Sequence, residues 1–216
     1  MKQVSQECAH SPTFSVIIAT KNASCTLARC VDSVLSQTFE SFELIIQDGE
    51  STDGTLECLA TYDDPRLTIH SEPDESIYQA WNRALEQATG EWICFLGADD
   101  YYWSTDVLSR LHPHCRRARQ SGIRFVYGSI HAVNGVPPVV LSTLGKPWES
   151  ARQRFVHEMS VPHPGSLHHR DLFHDHGQFD PSFKIVGDYD FLLRELPRRA
   201  AWFADGIIIA GVSTGG

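Results

Sequence analysis

No apolar run in the 216-residue chain approaches the roughly 18 residues that a membrane-spanning helix needs. The opening MKQVSQECAHSPT is polar and lacks the apolar core of a signal peptide. Positive charge is scarce: 18 Lys and Arg against 27 Asp and Glu leave a net charge of −9. That argues against a nucleic-acid binder, which carries a basic patch or stripe. It also means that a phosphorylated substrate would need local cations or a metal ion. The six cysteines (Cys8, Cys25, Cys30, Cys58, Cys94, Cys115) show no CxxC pair and no framework spacing, so a reduced cytosolic protein is expected. Glycine-rich nucleotide loops are also missing. Neither GxGxxG nor GxxxxGK[ST] follows the first strand-like run.

What is present is an ordinary globular composition, 42% hydrophobic and 21% charged, in a length that suits one large domain. FSVII (14–18), FELII (42–46), RLTIH (66–70) and WICFL (92–96) read as short strands. Leu27, Val31, Val34 and Leu35 recur at helical spacing after Asn22 and Ser24, two capable N-caps. Ser76 and Gln79 form a capping-box pattern ahead of an Ile77–Trp81–Leu85–Ala88 stripe, and Gly90 suits a left-handed position just past that helix. A further helix is expected over 104–118. The alternation predicts an α/β fold with a mostly parallel central sheet flanked by helices. After about residue 128 the rhythm breaks into a hairpin at VNGVPPVV and an α+β half, an elaboration of the same domain.

Ligands of such sheets bind beyond the carboxyl ends of the strands. There the chain places Ala19, Thr20, Lys21 and Asn22, then QDGESTDGT (47–55), then GADDYY (97–102). Adjacent Asp99 and Asp100 repel and resist desolvation, so the pair is either a solvated turn or a holder of something positive. Six histidines (His157, His163, His168, His169, His174, His176) and HPHC at 112–115 invite a zinc reading, but neither has convincing ligand spacing. Surface or acceptor-loop histidines are the expectation. GVSTG (211–215) fits G-x-S-x-G, yet no helix, acid or histidine follows it, and the hydrolase reading fails. The ending there suggests a natural segment beyond Gly216 that touches membrane or acceptor.

IIATKN, QDGESTDGT, SEPDESIYQAWNRALEQATGEWICFLGADD and VGDYDFLLR, in that order, resemble the family 2 glycosyltransferases of the GT-A fold, most strongly over 14–128. The resemblance implies a Rossmann-like domain with a nucleotide-sugar half (about 14–128) and an acceptor half (about 129–216). It also implies inverting transfer from a nucleotide-diphosphate sugar, assisted by Mn2+ or Mg2+. Matched residue by residue, Asp48 contacts the base, Asp99 lies near the ribose and Asp100 binds the metal. Gly97 stands where the family often has an aspartate. Asp74, Tyr78, Asn82 and Arg83 fall in a donor-binding segment, with Asn82 and Arg83 off the apolar stripe and free to face the donor. Ala19, Thr20 and Asn22 complete the donor set.

Asp188 matches the general base, with Gly187 in place of a frequent glutamate. Asp190, about 200° away on a helix starting at 188, is its competitor. Arg194 would pair with phosphate or with an acid of its own helix, and His163 matches an acceptor-side position. A UDP-sugar is the favoured donor and a GDP-sugar the second. The acceptor is a saccharide or lipid-linked glycan, with action at the cytoplasmic membrane face and peripheral membrane contact. Two other readings exist. A non-catalytic nucleotide-sugar-binding module would keep Asp48, Asp99 and Asp100 but no base, and Asp188 disfavours it. A sugar-phosphate nucleotidyltransferase would need a glycine-rich basic loop where ATKNAS stands.

Overall fold

The computed structural model describes residues 11–214; Cys8 and Gly215 lie outside them. The first half runs β1 (Phe14–Thr20), α1 (Leu27–Leu35), β2 (Phe42–Asp48), α2 (Thr55–Leu59), β3 (Leu67–Ser71), α3 (Ile77–Gln87), β4 (Trp92–Gly97). It continues through β5 (Tyr101–Tyr102), α4 (Val107–Gln120), β6 (Phe125–Asn134), β7 (Val139–Leu144) and α5 (Trp148–Phe155). The last elements are β8 (Leu167–His169), α6 (Asp171–His176), α7 (Gly187–Leu193) and β9 (Trp202–Ser213). Among the described residues no helix is long and apolar enough to cross a membrane.

The strands form one sheet in the order β3-β2-β1-β4-β8-β6-β9-β5, with β7 beside β6. β1 lies between β2 and β4, parallel to both, with Phe14 opposite Phe42 on one side and Trp92 on the other. The connection direction therefore reverses at β1, which opens a crevice beyond the carboxyl ends of β1 and β4. Beyond β4 the sheet is mixed rather than mostly parallel. β8 is antiparallel to β4 and β6, β7 is antiparallel to β6 and β5 to β9, and only β9 runs parallel to β6. A tight return such as the β6–β7 hairpin reverses the strand, whereas a parallel neighbour needs a long crossover.

The alternating side chains of each central strand are buried on both faces. Val16, Ile18, Leu44, Ile46, Cys94 and Leu96 meet residues of α1 and α4. Ile17, Ile45, Ile93 and Phe95 meet α3, α5 and α7. That is why these strands read as unbroken apolar runs, each large side chain contributing roughly 1.5–3 kcal/mol by leaving water.

Three local expectations shift. α1 starts at Leu27 behind Thr26, with no side-chain cap; Asn22 takes a left-handed backbone (φ 52°) and is used elsewhere. On α3 the Ser76 hydroxyl accepts from the Gln79 amide, but Gln79 Oε1 accepts from Glu75 N. Its buried face is Tyr78, Ala80, Trp81 and Ala84, with Ile77 exposed. The aromatic rings bury more area, and Tyr78 finds a polar partner for its hydroxyl. Gly90 is not left-handed. It is glycine because a Cβ there would lie 2.6 Å from Ser15 N and Oγ. Gly90→Ala is expected to cost about 1–3 kcal/mol through this overpacking; an unchanged melting temperature in calorimetry would refute the contact.

Candidate active site

The loops after β1 and β2 are stitched into one wall. Asn22 N donates to Ser51 Oγ (2.8 Å), while Asn22 Oδ1 accepts from Thr52 N (2.9 Å). Ala23 N donates to Thr55 Oγ1, and Gly49 N to Thr20 O. Asp48 is buried, its carboxylate accepting from Ser51 N and Oγ and from Ser71 Oγ (2.7 Å). Its turn-capping role is thus visible in the contacts. Asp74 lies directly over Gly49, where a Cβ would be 2.3 Å from Asp74 Oδ2. Burial first, with Asp48 adding, lifts the Asp74 carboxyl above its ordinary value, and Lys21 and Arg83 oppose this. Ala19 packs against the core, and Thr20 is buried with its hydroxyl unpartnered.

At the end of β4, Asp99 and Asp100 turn back over Gly97. A Cβ on Gly97 would sit 2.7 Å from Asp100 Oδ2 and 3.0 Å from Asp99 Oδ1. The two carboxylates occupy the space that a side chain at 97 would need, so glycine suits this position. Asp100 is buried, and its pKa is pushed up to about 7, mainly by burial and then by Asp99. The β9 end holds the pair in place. Ser213 N donates to Asp100 Oδ1 (3.1 Å) and Ser213 Oγ to Asp99 O (2.8 Å). Arg29 of α1 stacks on the Tyr101 ring at 4.3 Å and donates to Asp99 O (2.8 Å) and Ser213 Oγ (3.2 Å). A cavity of about 280 Å³ lined by Arg29, Asp99, Asn134, Ser213 and Thr214 opens beside them.

Asp188 sits in the first turn of α7. Its Oδ1 accepts from Tyr78 OH (3.3 Å), and its Oδ2 lies 3.8 Å from His163 Nδ1. His163 stacks on Trp81 and on Phe95 of β4, two residues before Gly97. Burial lowers the His163 pKa and Asp188 opposes it, so the imidazole stays neutral near pH 7. Through His163, Asp188 is linked to Phe95 of β4, the strand that leads into the Asp99–Asp100 turn. Asp190 faces elsewhere and pairs with Arg194 at 2.6 Å, and Arg194 also donates to the carbonyls of His176 and Gln178. The acid of its own helix, one of the two partners expected for Arg194, is in contact with it.

A family model, Glycosyl transferase family 2, matches residues 15–157. The chain belongs to this family. The transferase is 34% identical over 190 residues to a "PGL/p-HBAD biosynthesis glycosyltransferase" of Mycobacterium bovis, covering 85% of this chain and 70% of the relative. It is 37% identical over 99 residues to the Escherichia coli enzyme WfaP, a UDP-Glc:alpha-D-GlcNAc-diphosphoundecaprenol beta-1,3-glucosyltransferase, covering 45% and 39% of the two chains. Its fold matches that of the Staphylococcus aureus TarS fragment 1–349 with a TM-score of 0.77 at 22% identity, over 93% of this chain and 60% of that one. The fold is GT-A.

Two expected donor contacts are placed differently in the transferase. The Asn82 amide does not face the crevice: Nδ2 donates to Phe179 O (2.8 Å) and Oδ1 accepts from Phe179 N (3.0 Å). Arg83 donates to Pro73 O (2.6 Å) and lies 3.7 Å from Glu72. Asn82 lies one turn after Tyr78 and meets the Phe179 segment, while Arg83 reaches back to the loop before α3. The histidines also differ from expectation, since His163, His168 and His169 are buried. β8 inserts between β4 and β6 in the sheet, so its side chains enter the core. Sequence reasoning did not single out Arg29, which carries no motif. Ser213 lies in GVSTG, to which the sequence assigned no donor-side role.

Proposed function

We propose that the transferase is inverting and metal-assisted. It moves a sugar from a nucleotide-diphosphate donor, UDP-linked by preference and GDP-linked second, to a hydroxyl of a saccharide or lipid-linked acceptor in glycolipid or polysaccharide assembly. The observation that carries this reading is the Asp99–Asp100 pair. Its carboxylates share one space over Gly97 and have no salt-bridge partner among the described residues. The nearest guanidinium, that of Arg29, binds the Asp99 backbone carbonyl instead. Two uncompensated carboxylates fit a Mg2+ or Mn2+ site that takes its remaining ligands from substrate phosphates. Among the described residues no three His, Cys, Asp or Glu side chains converge on one point.

Asp100 holds the metal in this reading and Asp99 faces the ribose. When bound, the metal offsets the charge that develops on the departing diphosphate. Asp48 and Asp74, with Ala19, Thr20 and Asn22, form the base-side wall. Arg83 supports it through Pro73, and Asn82 acts at one remove through Phe179. Asp188 takes the acceptor hydroxyl proton as that oxygen bonds to C1. The C1–O bond to the diphosphate breaks and its electron pair leaves with the diphosphate. Attack opposite the leaving group inverts the anomeric centre. His163 lines the acceptor side, and the Asp190–Arg194 pair belongs to the same half of the chain.

Residues about 14–128 serve the donor and about 129–216 the acceptor. The UDP-Glc and diphosphoundecaprenol in the WfaP name support the donor class, a lipid-linked acceptor and a cytoplasmic, membrane-face location with peripheral contact. Calorimetric titration of UDP and GDP, with and without Mn2+, tests the reading. Metal-dependent binding of one nucleotide that disappears in Asp100→Ala is expected. Binding that ignores both the metal and the substitution would overturn the site.

A further inference from the structure

The chain from Phe179 to Asp188 is held by one face of α3. Asn82 brackets the Phe179 backbone with two hydrogen bonds of 2.8 and 3.0 Å. The Ser76 hydroxyl donates to Pro181 O at 3.1 Å. Tyr78 holds the far end: its hydroxyl accepts from Gly187 N (2.8 Å) and donates to Asp188 Oδ1 (3.3 Å). Tyr78 and Asn82 are four residues apart, hence on the same side of the helix. Between the grips Phe183 packs against the core, and Lys184, Ile185 and Val186, which lead directly into Gly187, are exposed.

Two features show that the grip by Tyr78 is specific. Val186, just before α7, has φ 66°, a region that a β-branched residue enters only under constraint. The Gly187 amide that follows is one of the unpaired donors of a helix start, and the phenol oxygen accepts it. Gly187 itself leaves no room for a side chain, because a Cβ would lie 2.8 Å from Tyr78 Cε2 and Cζ. The ring is kept in place by Trp81 at 5.4 Å and Phe179 at 5.9 Å. Burial, with Asp188 adding, raises the phenol pKa above its ordinary value, so the hydroxyl keeps its proton and remains a donor.

We propose that Tyr78 is the positioning residue for the general base: its hydroxyl ties the first turn of α7 to α3 and orients the Asp188 carboxylate toward the acceptor hydroxyl. This rests on the reading of Asp188 as the base. Asp188 is met from α3 by Tyr78 and from the segment before β8 by His163. Those two contacts divide its oxygens, and the phenol is the shorter.

The test is Tyr78→Phe, which keeps the ring packing and removes one oxygen. kcat is expected to fall on the order of 10- to 100-fold, the scale of a misoriented catalytic group. The donor KM and Mn2+-dependent nucleotide binding should stay within about twofold, since the donor wall is untouched. The acidic limb of the pH–rate profile should move to higher pH, because the carboxylate has lost a hydrogen-bond donor. In an Asp188→Asn background the same substitution should cost little more, whereas a role in folding alone would give additive losses. Wild-type kcat and an unmoved pH profile in Tyr78→Phe would overturn the proposal. Hydrogen exchange at the Gly187 amide gives a readout independent of turnover. It should be at least about tenfold faster in the variant, as for a helix start that opens locally. Unchanged exchange overturns the tie between α3 and α7 even if no donor sugar is turned over, while changed exchange without wild-type transfer would reject the transferase reading and leave the tie standing.

Discussion

Asp188→Asn should lower kcat by between about 100-fold and 10,000-fold, the span attributed to a general base, with nucleotide binding unchanged. The substitution is nearly isosteric. The asparagine can still meet the Tyr78 hydroxyl, and the space against His163 stays filled. What it removes is the ability to take a proton from the acceptor hydroxyl. Steady-state rates beside a UDP titration separate the two effects. A loss under tenfold would move the base to another residue, and Asp190 is the weakest substitute because its carboxylate is committed to Arg194 at 2.6 Å. A parallel loss of UDP affinity would assign Asp188 to the donor site instead. The stereochemistry of the product, read from the anomeric coupling in proton NMR, checks the inversion separately.

The second large effect concerns Asp100, and it runs in opposite directions for binding and for stability. Burial first, and Asp99 beside it next, push this carboxyl up to about 7 from its ordinary 3.8. Between those values the folded state holds a proton that the unfolded chain has released. Stability therefore falls as pH rises through that window, by at most about 1.4 kcal/mol per pH unit, and levels off above pH 7. Asp100→Asn removes the charge and keeps the shape. Its metal-free melting temperature at pH 7.5 should exceed that of the wild type, with a flatter dependence on pH between 5 and 7.

The same variant should lose Mn2+-dependent nucleotide binding by more than the roughly 10- to 100-fold that follows removal of a group merely supporting a ligand. In the wild type, metal affinity should drop as pH falls below 7, since the proton and the cation compete for one carboxylate. Thermal scans at pH 5.5 and 7.5, with and without Mn2+, read both effects. If Asp100→Asn proved less stable than wild type at pH 7.5 without metal, Asp100 would be a structural acid rather than a strained functional one.

The sequence by itself determined the strands and their order of chemistry. Residues 14–18, 42–46 and 92–96 are apolar at consecutive positions because helices cover both faces of the strands, and such runs are legible without coordinates. The motif-bearing turns after them were legible for the same reason. Loops at the carboxyl ends of parallel strands hold the polar residues that the core rejects, and family resemblance could be read onto Asp48, Asp99, Asp100 and Asp188. What only the tertiary structure decided lies in contacts between distant segments. The segment around Asp188, about 100 residues away in sequence, packs against α3 and covers Tyr78, while Ile77 at the helix start stays exposed. Asn82, expected as a donor-facing amide, is a clamp on Phe179. The salt bridge to Arg194 occupies Asp190, while Asp188 keeps its contacts to Tyr78 and His163. Ser213 and Arg29 reach the aspartate pair from opposite ends of the chain. Neither carries a periodic or spacing signal, because a hydrogen bond across a sheet depends on where the backbone has been brought rather than on what surrounds the residue in sequence.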